Sequence, residues 1–126
     1  MAVVSNSAAL FEISGNVSTN STWDEYIYFL QEGAGMSLED LTFQLQVREK
    51  DDDTTATKTF STTAGDLVIT NDDNGDPTIL RINIAVASMT SLEGDYFVDL
   101  VGKDLNDKLT HWAHGIVSFQ ESPIAF

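Results

Sequence analysis

The stretch Leu92-Glu93-Gly94-Asp95-Tyr96-Phe97-Val98-Asp99-Leu100 constrains the fold of this chain more than any other. A glycine, a tyrosine two residues on and then alternating apolar positions describe a strand leaving a corner of an immunoglobulin-like sandwich. In that architecture the tyrosine hydroxyl bonds back to upstream backbone and pins the corner. Gly94 and Tyr96 are therefore read as a structural corner. Antibody domains place a disulfide cysteine two residues beyond such a tyrosine; here that residue is Val98, and the chain has no cysteine. Apolar packing has to hold the sheets together.

Alternation elsewhere agrees. In residues 41–48, Leu41, Phe43, Leu45 and Val47 share one face, and Thr42, Gln44, Gln46 and Arg48 share the other, the period of a half-buried antiparallel strand. Leu80, Ile82, Ile84 and Val86 repeat the pattern against Arg81 and Asn83. Further strands are read at 11–17, 23–31, 57–62, 67–69, 96–101 and 111–120, and a brief helical turn at 87–92. Turn signals separate them: the acidic run Asp51-Asp52-Asp53, the break at Gly65, the cluster Asn71 to Pro77, and Asp104-Leu105-Asn106-Asp107. About eight short strands at this spacing predict an all-β, immunoglobulin-like antiparallel β-sandwich. Residues 1–126 suffice for one such domain with a single core, with extended segments at either end.

Charge restricts the partners. Twenty acidic residues against six basic ones give a formal net charge of −14. Nucleic acid is gripped through Lys and Arg contacts to phosphate, and six are too few to line a groove. Anionic membrane is disfavoured for the same reason. No window approaches the roughly 18 apolar residues of a membrane span, and residues 1–7 lack the basic and apolar regions of a secretory signal. The absence of cysteine suits folding in a reducing cytoplasm. The acidic surface keeps a small domain soluble, or meets a basic partner surface.

His111 and His114 stand three apart, and on a regular strand such residues point to opposite faces, so no shared metal is expected. Neither has a serine or cysteine in a nucleophile motif beside it. With Gly75 at the sixth position of a calcium loop, the first and last ligand positions hold Thr70 and Arg81, and both fail. A looser site using Asp72, Asp73 and Asp76 stays open beside a plain solvated turn. Asn16 and Asn20 match glycosylation sequons that have no secretory signal to serve them. No catalytic residue, metal or cofactor is expected, and the chain is not read as an enzyme.

The aromatic residues leave two readings open. Trp23, Tyr26 and Tyr28 lie in a stretch that is apolar on both faces, fitting either a central strand buried twice or exposed anchors for a neighbouring subunit. Trp112 and Phe126, at the end of an apolar tail, join them as candidate interface residues. A second class of function uses Trp23, Tyr26, Tyr28 or Trp112 as a stacking platform, making the chain a carbohydrate-binding module.

The order of motifs resembles a known family. Asp40-Leu41-Thr42 running into Gln44-Leu45-Gln46-Val47-Arg48 is similar to the "DLT…QIR" strand of small tailed-phage structural domains, among them the N-terminal module of phage baseplate upper proteins. The similarity continues through the isoleucine strand, then Leu92, Gly94, Tyr96 and Asp99-Leu100, and closes on Gly115-Ile116-Val117, a "G-x-V" strand. Phe43 departs from the glycine common in the family. Family members continue into a fibre-like or receptor-binder-attaching region, whereas this sequence stops at Phe126, which suggests a connector, anchor or decoration. The resemblance implies a non-enzymatic virion structural protein made in the bacterial host cytoplasm. It would be present in symmetric multiple copies, with other tail, baseplate or capsid proteins as partners.

Overall fold

The computed structural model describes residues 2–5, 11–31, 34–50 and 56–121. Ten strands run through them: β1 (Ala2–Ser5), β2 (Phe11–Ser18), β3 (Trp23–Gln31), β4 (Ala34–Gly35), β5 (Thr42–Arg48), β6 (Lys58–Ser61), β7 (Leu67–Thr70), β8 (Ile79–Ile84), β9 (Gly94–Lys103) and β10 (Leu109–Gln120). The helical turn expected at 87–92 is a single 3-10 turn at Val86–Ser88. The acidic run Asp51-Asp52-Asp53 and the tail ending in Phe126 lie outside the described residues.

The strands form two sheets of five. One has the order β1-β3-β8-β7 with β4 added to β3; the other has the order β2-β10-β9-β5-β6. The neighbours β3-β8-β7 and β10-β9-β5-β6 reproduce the B-E-D and G-F-C-C′ orders of an immunoglobulin variable-type sandwich. The N-terminal strands depart from the all-antiparallel expectation. β1 pairs parallel with β3, from Ala2 opposite Ile27 to Ser5 opposite Leu30. β2 pairs parallel with β10, from Phe11 opposite Ala113 to Ser18 opposite Gln120. The chain thus adds one strand to each sheet before the sandwich proper begins.

Alternation is realised as burial. Phe43, Leu45 and Val47 of β5 are fully buried while Thr42 and Gln44 are exposed. In β8, Ile79, Leu80, Ile82 and Ile84 are buried. The core joins Phe29 and Ile27 of β3 to Phe43, Leu100, Val117 and Phe119 from the facing sheet, with Leu38 and Met89 supplied by loops. Burying each large side chain stabilises the fold by about 1.5–3 kcal/mol relative to exposure, so no disulfide is required. Val98, at the antibody cysteine position, is fully buried.

The corner before β9 takes the expected form, with a different balance of forces. Gly94 has φ of 93°, a conformation that costs a residue with a Cβ roughly 1–2 kcal/mol. The backbone N–H of Glu93 donates to the Tyr96 hydroxyl at 3.5 Å, the outer limit of a useful bond. The ring does more: it is 7% exposed and meets Phe119 edge-on, centroids 5.7 Å apart. On the ring's other partner, Phe119 also meets Trp23 edge-on at 5.8 Å.

Candidate functional site

The outer face of the second sheet carries an ion cluster around one buried carboxylate. Alternation along β9 turns Tyr96, Val98 and Leu100 inward and Phe97, Asp99 and Val101 outward. Asp99 is nevertheless only 2% exposed, because side chains of both flanking strands close over it. From β5, Arg48 Nη1 donates to Asp99 Oδ2 at 2.7 Å, while Nη2 donates to Gln46 Oε1 at 2.6 Å. From β10, His111 Nε2 and His114 Nδ1 both lie 2.7 Å from Asp99 Oδ1. A buried carboxylate is tolerable only when paired and hydrogen-bonded, and this one is both.

The two histidines share a face, which corrects the expectation that they oppose each other. Strand register explains it. His111 sits opposite Val101 and Ala113 opposite Leu100, so Trp112 is the extra residue of a β-bulge. A bulge adds one residue to the count, and positions three apart then present side chains to the same side. Trp112 is turned to the interior, its ring edge-on to Phe29 at 5.3 Å. Its Nε1 is buried there with no hydrogen-bond partner among the described residues. The ring of Phe97 stacks beside His114, centroids 6.5 Å apart, completing the apolar edge of the cluster.

The acidic turn at 72–78 is built differently. Asp72 Oδ1 accepts from the backbone N–H groups of Asn74 and Asp76, at 2.9 and 3.1 Å, and Oδ2 accepts from the Thr78 hydroxyl at 2.8 Å. These bonds, the Thr78 one first, hold the Asp72 carboxyl below its ordinary value. Its oxygens serve the turn itself, the solvated-turn reading.

The other residues singled out in the sequence fall in separate places. Trp23 is 7% exposed and belongs to the core. Tyr26, at 39%, stands on the outer face of the first sheet, with the Arg81 guanidinium 5.5 Å from its ring centroid. Arg81 also grips Asp24 with two bonds, 2.9 and 2.8 Å. The Asp24 carboxyl is held low mainly by that bond. Tyr28 is half-buried on the same face, its hydroxyl against Gly35. Trp112 packs on the core and Phe126 lies outside the described residues. Of the four rings named for a stacking platform, Tyr26 and Tyr28 share the outer face of the first sheet, while Trp23 and Trp112 pack into the core. Among the described residues, a cleft of about 440 Å³ between β2 and β3 is lined by Trp23 as its one aromatic residue, with polar groups such as Ser14, Asn16 and Glu25.

In the sequence Asp99 stands only as part of the corner strand. Its partners come from positions 51, 12 and 15 residues away, and no local pattern announces them.

No protein-family model matches the chain, and neither does any curated protein. In fold it is similar to the N-terminal domain of phage TP901-1 ORF48, with a TM-score of 0.51 over 94% of this chain and 95% of that one, at 7% sequence identity. The likeness to a phage domain read from the strand motifs is thus matched in three dimensions. At this identity it establishes a shared fold, and function has to be argued from surfaces.

Proposed function

Proceeding from a fold shared end to end with a phage domain, we propose that this protein is a structural component of a tailed-phage virion. We place it at the tail baseplate, as an attachment or connector subunit present in several symmetric copies and acting through protein–protein contacts rather than turnover. The observation that carries the reading is the match over 94% of this chain and 95% of the phage domain. Charge supports it: a subunit with a formal charge of −14 packs beside its copies only where basic partner surfaces or salt offset the repulsion.

The test is mass spectrometry of purified particles from an infected culture, followed by imaging of the assembled tail. Recovery of the chain at a fixed copy number per particle supports the proposal, and its absence from particles overturns it. Washing particles in rising salt is expected to release the subunit while the isolated domain stays folded. Retention at all salt concentrations points instead to an apolar interface.

A further inference from the structure

Independently of the assembly role, we propose that Asp99, His111 and His114 form a binding site for a divalent transition ion of the zinc type. One oxygen and two ring nitrogens from these residues all lie within 4.8 Å of one another. Imidazole nitrogen with carboxylate oxygen is a donor set that suits zinc, nickel or copper better than calcium or magnesium. Tetrahedral zinc sits about 2.0–2.2 Å from such ligands, which separates neighbouring donors by roughly 3.3–3.6 Å. Opening the present 2.7 Å contacts to that spacing takes a shift of less than about 1 Å. The side chains of His111 and His114 are 44% and 37% exposed, so both rings have room to make it.

The surroundings match what metal ligands require. Arg48 holds the far oxygen of Asp99, and Gln46 holds Arg48, leaving Oδ1 aimed between the imidazoles. Outer partners of this kind fix a ligating carboxylate in place. Three protein donors leave a fourth position open toward solvent, where water or a neighbour's side chain completes the shell.

Capping Asp99 alone does not account for the arrangement. Arg48 already balances its charge. Bringing a second histidine to the same oxygen takes a bulge that turns Trp112 inward, where its Nε1 is buried with no hydrogen-bond partner among the described residues, an arrangement that costs stability. Bulges that re-aim side chains are found beside functional sites.

The experiment is titration of the untagged full chain with Co²⁺, read by visible absorption, and with Zn²⁺ in competition. One ion per chain is expected, with the Co²⁺ bands displaced by Zn²⁺ and abolished by chelator. His111→Gln and His114→Gln each keep a donor for Asp99 and are expected to fold, checked by circular dichroism. Each should weaken Zn²⁺ binding by about 100-fold or more. Asp72→Asn should leave it unchanged. Absence of visible bands, or equal affinity in both histidine variants and the parent, overturns the site. Loss of binding in Asp72→Asn does so too, by assigning the ion to the acidic surface. None of these outcomes bears on whether the chain is in virions.

Discussion

Gly115 of β10 lies so close to Ile13 of β2 that a Cβ added to it would fall 1.6 Å from the Ile13 carbonyl oxygen. The two are register partners in the parallel pairing that adds β2 to the second sheet. Only a residue without a side chain lets the strands approach this closely. The glycine of the "G-x-V" motif is therefore a condition of strand pairing.

Gly115→Ala is expected to lower stability by about 3 kcal/mol, because a backbone oxygen cannot move aside as a flexible side chain can. The comparison is Gly65→Ala. Gly65 has φ of 86° and open space around it, so the change costs only the backbone penalty of about 1 kcal/mol. Urea midpoints of the two variants check this, and equal losses contradict it.

Arg48→Met leaves the buried Asp99 carboxylate without its guanidinium and should cost about 3 kcal/mol in metal-free buffer. The double variant Arg48→Met with Asp99→Leu removes the stranded charge and should recover most of that loss. Both histidines are exposed enough to bond water once Asp99 is gone. Chemical denaturation of the single and double variants is the measurement.

Acid should weaken the fold through Asp72 and Asp24. Both carboxyls are held below their ordinary value in the folded chain, Asp72 first by the Thr78 hydroxyl and Asp24 first by Arg81. A lowered folded value means the unfolded chain binds protons more readily. The stabilisation is then present above the unfolded value and lost as pH falls through the folded one. Asp72→Asn, lacking that titration, should show a shallower fall in urea midpoint between about pH 5 and 2. A parallel fall in parent and variant contradicts the assignment.

Trp23 and Tyr26, both on β3, should separate by role. Trp23→Ala empties core space beside Phe119 and should cost about 3–5 kcal/mol. Tyr26→Ala removes an exposed ring and one contact to Arg81, a loss under about 1 kcal/mol. If Tyr26 is an anchor, its variant should fold normally and be depleted from particles, as counted by mass spectrometry. Full incorporation removes Tyr26 from the interface.

Local pattern was enough to place most of the strands, because a half-buried strand writes its period directly into the chain. Phe43, Leu45 and Val47 show their face in the sequence, and Gly94 with Tyr96 shows the corner. The strands that pattern missed, β1 and β4, hold four and two residues, too few for a period to be visible. The sequence leaves Trp23 and Tyr26 undecided for a related reason. A strand rich in apolar residues on both faces does not say which face meets the other sheet.

What the amino-acid order determined alone was therefore the class of fold, the corner and the net charge, since each rests on neighbours a few residues apart or on composition. Tertiary structure decided the rest. Asp99 gains its meaning from Arg48, His111 and His114, which reach it only once β5, β9 and β10 lie side by side. The bulge at Trp112 that puts both imidazoles on one face arises from a mismatch of count between two paired strands, and no single strand contains that information.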